Sequence, residues 1–119
     1  MILVDTSVWV DFFRHGDDLL VGLLEDGEVL MHPYVVGELA CGFLPSRQQV
    51  MVDLSKLPTA PVAKHSEVLH FIDNSQLAGA GVGYLDCHLL VSTLLGDGTR
   101  LWSRDKKLAA LASRFSLLH

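Results

Sequence analysis

The sequence has few cysteines and no long apolar run. Its 119 residues contain only Cys41 and Cys87, with no C-x-x-C motif, so the usual zinc and dithiol motifs are excluded. We expect both cysteines to be small buried thiols rather than a disulfide. No apolar stretch approaches the roughly 20 residues that span a bilayer, and the N-terminus lacks the basic start of a signal peptide. The sequence therefore predicts a cytoplasmic protein without a membrane partner.

Basic residues are scarce outside the C-terminal segment. The chain has nine Lys and Arg against 14 Asp and Glu, a formal charge of −5. Five of the nine basic residues lie between positions 100 and 114, where Asp105 is the only acid. Such a segment is either an ordinary solvated helix face or a surface that attracts phosphates. Charge alone leaves both interpretations open.

Two further kinds of site are absent. The glycine-rich stretch "AGAGVG" lacks the G-x-G-x-x-G spacing of a dinucleotide site, because Tyr84 occupies the last glycine position and a helix precedes the loop. His65 and His70 are five residues apart, which does not place two ligands on one helical face. The sequence therefore predicts no metal-binding histidine pair.

What is present is a series of short apolar strands that alternate with helices. Half of the residues are hydrophobic and 19% are charged, as expected for a folded chain. The pattern predicts strands at 2–4, 29–31 and 100–102, either an extended connector or an edge strand at 58–61, and a possible terminal strand at 115–118. It predicts helices at 7–14, 17–25, 33–43, 47–56, 64–77, 84–95 and 106–113. This order indicates one α/β domain over residues 1–119, with a short, mostly parallel central sheet flanked by helices.

Four acids lie where the pattern predicts apolar surroundings. Asp5 and Asp105 follow predicted strands, and Glu38 and Asp86 share helix faces with apolar neighbours. A lone buried carboxylate costs several kcal/mol or becomes protonated. Taken singly, Asp5 and Asp105 could be helix N-caps, and the two helical acids could lie at solvated helix margins.

The four acids together favour a metal site. Ligand sites in parallel α/β sheets gather at the carboxyl ends of the strands, where Asp5 and Asp105 would meet. Clustered carboxylates repel one another unless a cation joins them, and their hard oxygens suit Mg²⁺ or Mn²⁺. Such ions orient water for displacement at a phosphate.

The local contexts of these acids carry a resemblance. "VDTSVWVDFF", "GEL", "YLDCHLL" and "LWSRDKKLA" resemble the PIN-domain ribonucleases, specifically VapC-type toxins. The resemblance implies that Asp5, Glu38, Asp86 and Asp105 form a catalytic acidic pocket, with Asp5 and Asp86 as the principal metal ligands. It also implies that Ser103 holds Asp105 or a metal-bound water.

The resemblance further implies a function and partners. It indicates an endoribonuclease that depends on Mg²⁺ or Mn²⁺, acts as the toxin of a type II toxin–antitoxin pair, binds a VapB-like antitoxin and forms a homodimer. Arg104, Lys106 and Lys107 would then hold the RNA backbone. Residues 47–77 match the family only in character, so they give no substrate or antitoxin preference.

Two rival interpretations stay open. One is a phosphotransferase or phosphatase with Asp5 as an aspartyl nucleophile, although such enzymes usually carry a second carboxylate two residues later, where this chain has Ser7. The other is a non-catalytic binding module whose metal site only stabilises the fold.

Overall fold

The computed structural model describes residues 1–119 and contains three strands and seven helices. The strands are β1 (Ile2–Val4), β2 (Val29–Leu30) and β3 (Arg100–Trp102). The helices are α1 (Thr6–His15), α2 (Asp18–Glu25), α3 (Pro33–Cys41), α4 (Arg47–Ser55), α5 (His65–Asn74), α6 (Tyr84–Leu95) and α7 (Lys106–Arg114). No helix has both the length and the apolar character needed to cross a membrane.

The sheet is parallel, with the strand order β2-β1-β3. Leu3 of the central strand β1 pairs with Leu30 on one side and Leu101 on the other. All three residues of β1 are buried, because helices cover both faces of a parallel sheet. The predicted α/β class is therefore confirmed, and the carboxyl ends of all three strands lie along one edge.

Two of the predicted extended segments are reduced to single bridges. Thr59 pairs with Met31, which extends β2 by one residue, and Leu118 pairs with Leu101 at the outer side of β3. Each bridge widens the sheet locally without adding a strand. The predicted terminal strand is therefore wrong in extent but right in position.

The predicted helices are present, with boundaries that differ by a few residues. α3 ends at Cys41 rather than near residue 43, and α5 covers only His65–Asn74 of the predicted 64–77. The buried residues of α3 are Val35 and Leu39, so Cys41 faces outward and is exposed. The expectation of two buried thiols is therefore right for Cys87 and wrong for Cys41.

Candidate active site

Asp5 is a buried carboxylate held by hydroxyl groups. It directly follows β1, and only 6% of its surface is exposed. Its Oδ2 accepts hydrogen bonds from the hydroxyls of Ser7 and Ser103, both at 2.7 Å. Asp5 occupies the N-cap position of α1, but its side chain makes no capping bond, so the capping interpretation is right for its position only. Two neutral donors orient this carboxylate, and no basic side chain pairs with it.

The sheet register explains why Ser103 reaches Asp5. Val4 pairs with Trp102, and the Asp5 N–H donates to the Trp102 carbonyl at 2.9 Å, so the next row brings Asp5 beside Ser103. On the other side, Leu3 pairs with Leu30, the last residue of β2. Adjacent strands lie about 4.8 Å apart. The carboxyl edge of the sheet therefore places Asp5 and Ser103 side by side.

The same serines fold the turn after β3 onto Asp5. Ser7 Oγ accepts the backbone N–H of Arg104 at 3.0 Å, and Ser103 Oγ accepts the backbone N–H of Asp105 at 3.0 Å. Each hydroxyl thus donates to Asp5 and accepts from the turn. Ser103 joins the first and last acids of the series through two hydrogen bonds.

Asp105 serves as the N-cap of α7. Its Oδ1 accepts hydrogen bonds from the backbone N–H groups of Lys107 at 2.9 Å and Leu108 at 3.1 Å. The capping interpretation is therefore right for this residue. No protein group donates to its Oδ2, and that oxygen is available to a ligand.

Glu38 lies on the exposed side of α3, not on its apolar face as the sequence suggested. Its Oε1 accepts a hydrogen bond from the hydroxyl of Thr6 at 2.8 Å. Thr6 directly follows Asp5, so this bond ties Glu38 to the N-terminus of α1. The carboxylate stays beside the carboxyl edge of the sheet even though solvent reaches it.

The pKa of Asp86 is affected by all three of the other acids. It lies partly buried in the first turn of α6, and its Oδ2 accepts the Gly83 N–H at 3.2 Å. Burial raises the pKa of Asp86, and the Gly83 bond opposes that rise. The charges of Asp5, Asp105 and Glu38 each raise the pKa of Asp86 further. The structure therefore brings the four predicted acids into one mutually repelling group.

The donors of this group fit a hard divalent cation. They are carboxylate and hydroxyl oxygens, the ligands that Mg²⁺ and Mn²⁺ prefer. No three His, Cys, Asp or Glu side chains converge closely enough to enclose an ion, so three of them could ligate one ion only if side chains move. Positive charge would relieve the repulsion that raises the pKa of Asp86.

Arg104 is engaged by other acids of the protein. Its guanidinium forms an ion pair with Asp17, and its Nε lies 3.4 Å from Oδ2 of Asp11. It also lies 5.9 Å from the centre of the Trp102 ring. These contacts join the turn after β3 to α1 and to the N-cap of α2. They partly neutralise the positive charge of Arg104, which the sequence analysis assigned to RNA binding.

The two lysines of the first turn of α7 have no acidic partner. Lys106 and Lys107 are exposed, and neither forms an ion pair. Lys107 lies across Gly81, where an added Cβ would be 2.8 Å from Nζ, and Gly81 has a φ of +84°. The positive φ favours glycine at this position, whereas the flexible end of Lys107 could move away from a Cβ. The lysine charge is thereby placed beside the loop that leads into α6.

A buried histidine just before α3 was missed from the sequence. His32 is fully buried; its Nδ1 accepts the Tyr34 N–H at 3.1 Å, and its Nε2 lies 3.0 Å from the Ser92 hydroxyl. Burial, with a smaller contribution from His88, lowers the pKa of His32 to about 4. The sequence offered one signal for this residue, its position just before Pro33 at a helix start.

Aromatic rings surround a second buried histidine. His88 is buried, and the rings of Tyr34 and Tyr84 each lie 4.7 Å from it, nearly perpendicular to the imidazole. The Tyr84 hydroxyl bonds to Nε2 of His88 at 2.8 Å and to Nδ1 of His65. His88 Nδ1 is buried without a hydrogen-bond partner. Burial lowers the pKa of His88, and His65 adds to the effect.

Comparisons with known proteins agree with this geometry. The PIN domain family matches residues 2–113. Ribonuclease VapC32 of Mycobacterium tuberculosis, from strains CDC 1551 / Oshkosh and ATCC 25618 / H37Rv, is 47% identical over 110 residues in both cases. The matched region covers 92% of this chain and 89% of that relative. The chain thus belongs to the PIN-domain family, as a VapC-type member.

Proposed function

We propose that this protein is an endoribonuclease that depends on Mg²⁺ or Mn²⁺ and acts as the toxin of a VapBC-like toxin–antitoxin pair. The observation that carries the proposal is the grouping of four acids at the carboxyl edge of the sheet: besides burial, the charges of the other three each raise the pKa of Asp86. The name of its relative, Ribonuclease VapC32, supports RNA as the substrate class.

The burial and hydrogen bonds of each residue indicate its role at the site. Asp5 and Asp86 would be the principal metal ligands, because they lie deepest in the group. Asp105 and Glu38 would act from the exposed side, directly or through water. Ser103 would keep Asp5 and the turn of Asp105 in register, as its two hydrogen bonds indicate.

A divalent cation in this group would supply an activated water for in-line attack on a phosphodiester. Cleavage through the 2′-hydroxyl instead needs an accessible acid and base, often two histidines. His32 and His88 are both buried and their pKa values are lowered, so they are poorly suited to that route. We therefore expect products with a 5′-phosphate and a 3′-hydroxyl.

The decisive experiment is cleavage of a cellular RNA pool, with the product termini mapped. We expect cleavage with Mg²⁺ or Mn²⁺, none with EDTA, and at least a 100-fold loss in Asp5→Asn and Asp86→Asn, since electrostatic groups of this kind supply factors of about that size. Asp97→Asn removes an exposed acid in the turn before β3 and is the matched control. Cleavage that survives EDTA, or cyclic phosphate ends, would contradict the proposed mechanism.

Metal binding is measured separately from cleavage by thermal unfolding. A cation that binds only the folded state raises the melting temperature, so Mg²⁺ or Mn²⁺ should stabilise the protein. Asp86→Asn should shrink that rise and raise the melting temperature without metal, because it removes a carboxylate whose charge is disfavoured. An equal metal response in Asp86→Asn and Asp97→Asn would count against the acidic site.

The two rival functions receive less support. In an aspartyl-phosphate enzyme, the residue two positions after the nucleophile usually bears a second carboxylate, and here Ser7 donates a hydroxyl to Asp5 instead. Trapping of an acyl-phosphate on Asp5 would favour that alternative. Stabilisation by metal without cleavage of any RNA would favour the binding module.

The proposed partners follow from membership of the VapC type. They are an RNA substrate, a VapB-like antitoxin and a second copy of the chain, with action in the cytoplasm. Light scattering of the isolated protein and of the co-expressed pair tests both protein partners. A monomer that no co-expressed antitoxin binds would contradict this part of the proposal.

A further inference from the structure

We infer that Tyr34 and Tyr84 form a stacking platform for an RNA base beside the scissile phosphate. The inference rests on the proposed ribonuclease function and adds to it a means of gripping the base. It assigns the two tyrosines to substrate binding, without a part in the chemical step.

The platform adjoins the acidic group on two helices. Tyr34 lies one turn before Glu38 on α3, and residues four apart share a helix face. Tyr84 lies in the first turn of α6 with Asp86. The two tyrosines contact the same imidazole, His88, at equal centroid distances of 4.7 Å. A nucleotide whose phosphate reaches Asp86 therefore has aromatic surface within the length of its own sugar and base.

The two tyrosine rings are exposed, although the histidines that they pack against are buried. Tyr34 and Tyr84 are each 38% exposed, whereas His32 and His88 beneath them are at most 1% exposed. His32 lies 5.2 Å from the Tyr34 ring. Covering exposed aromatic surface with a ligand is favourable, and a ring held by packed neighbours loses little entropy on binding.

The hydrogen bonds of Tyr84 fix its orientation. Its hydroxyl is shared between His65 and His88, so the ring is held at its polar tip while part of the ring surface remains open. Burial raises the pKa of Tyr84, and Tyr34 adds to the rise. This effect agrees with the contacts that both rings make with His88.

Base stacking would supply affinity for RNA that the charged residues do not provide. The four carboxylates repel the RNA backbone, and Arg104 is paired with Asp11 and Asp17. Stacking adds affinity without charge, and every base offers an aromatic face. Unpaired bases of single-stranded or looped RNA are the ones free to stack. The partner that fits is thus an unstacked nucleobase.

The test uses short single-stranded RNA spanning the mapped cut site, with 2-aminopurine placed at single positions. Asp5→Asn serves as the background, so that the RNA stays intact. We expect the fluorescence of 2-aminopurine beside the cut site to be quenched on binding. Tyr34→Leu and Tyr84→Leu should remove the quenching and weaken binding by about 10-fold each. Tyr34→Phe should restore both relative to Tyr34→Leu.

Phe115→Leu is the control for loss of an aromatic ring. Phe115 follows the C-terminus of α7, about 13 Å along the helix from the acidic end. It should leave quenching and affinity unchanged. Tyr34 is the more informative position for folding, because its side-chain hydroxyl makes no hydrogen bond, and its replacement leaves the His65–Tyr84–His88 chain intact.

The outcomes separate the two proposals. If the unsubstituted protein cleaves RNA but Tyr34→Leu and Tyr84→Leu retain quenching, affinity and kcat/KM, the platform is overturned and the ribonuclease proposal stands. If the unsubstituted protein cleaves no RNA with either metal, both are overturned. Equal losses in Tyr34→Phe and Tyr34→Leu would also overturn stacking, because Phe keeps the ring.

Discussion

At the scale of single residues, hydroxyl groups rather than basic side chains hold the acids in position. Ser7 and Ser103 bind one oxygen of Asp5, whereas a lysine or arginine there would neutralise the carboxylate. A neutral donor orients an acid and leaves its charge for a cation. Glu38 is likewise oriented by a neutral donor, the hydroxyl of Thr6.

His32 gives the fold a dependence on pH. Its folded pKa of about 4 lies below the ordinary 6.5, so the unfolded chain binds a proton more readily, and stability falls as the pH drops from 6.5 towards 4. Between pH 7 and pH 5 this one group should cost about 2 kcal/mol of unfolding free energy.

Urea unfolding at the two pH values checks this prediction. Asn is the matched replacement, because its side-chain oxygen can still accept the Tyr34 N–H as an N-cap. His32→Asn should reduce the loss of stability on acidification, with His88 accounting for part of what remains. Identical losses in both proteins would show that His32 is not responsible.

The sequence located the acids better than it described their surroundings. Asp5 and Asp105 were placed correctly, because the ends of parallel strands are set by the order of elements. Glu38 was misplaced on an apolar face, since helical spacing shows which residues are neighbours but not which side the core covers. His32 was missed because its burial depends on Ser92 of a distant helix.

At the scale of elements, α7 combines two functions at its N-terminus. Asp105 caps the helix with one oxygen, and its charge raises the pKa of Asp86. The first-turn residues Lys106 and Lys107 bring positive charge to the same end, where they oppose the helix dipole. An unfavourable local charge that persists in a fold points to a partner such as phosphate.

Replacing both lysines should weaken RNA binding with little effect on metal binding. Each phosphate contact on a single strand contributes about 0.7 to the slope of log affinity against log salt. Lys106→Gln with Lys107→Gln should therefore flatten that slope by up to about 1.4. Binding titrations at several salt concentrations measure it, again in the Asp5→Asn background.

Arg114→Gln provides the matched loss of charge at the other end of α7, where Arg114 donates to the Ser75 carbonyl. Its salt slope should stay near that of the parent. Equal slopes for the double lysine variant and Arg114→Gln would assign the lysines to an ordinary solvated face.

Elements were predicted well where a local signal defines them. Pro33 starts α3, and the "GDG" turn separates α6 from β3, so both boundaries were readable. The end of α5 was predicted too late, because Gln76 adopts a φ of +56° that no glycine announces. Leu118 pairs only with Leu101 of β3. One paired residue does not produce a recognisable strand pattern in the sequence.

At the scale of the whole molecule, the core is divided into two apolar clusters. The larger surrounds the sheet, and the smaller lies between α5 and α6, with Val68 and Cys87 among its members. Phe71 and Leu111 pack against both clusters. These shared contacts should make the two clusters unfold together.

Val68→Ala tests this coupling from the smaller cluster. Val68 is fully buried, and loss of its two methyl groups should cost about 1.5–3 kcal/mol. Fluorescence of Trp9 and Trp102, which belong to the larger cluster or pack against it, should report the same shift in urea midpoint as circular dichroism. A tryptophan midpoint that does not move would mean that α5 and α6 unfold separately.

The hydrogen bond from Ser103 to Asp5 joins residues 98 positions apart, and this has a consequence for biosynthesis. Ribosomes make the N-terminal residues first, so Asp5 leaves the ribosome long before the strand that completes its surroundings. Until β3 arrives, β1 lacks one of its two neighbours, and Asp105 and the α7 lysines are missing. A half-made chain therefore carries separate acids and no assembled site. The four acids can therefore come together only after β3 and the start of α7 have been made, about 100 residues after Asp5.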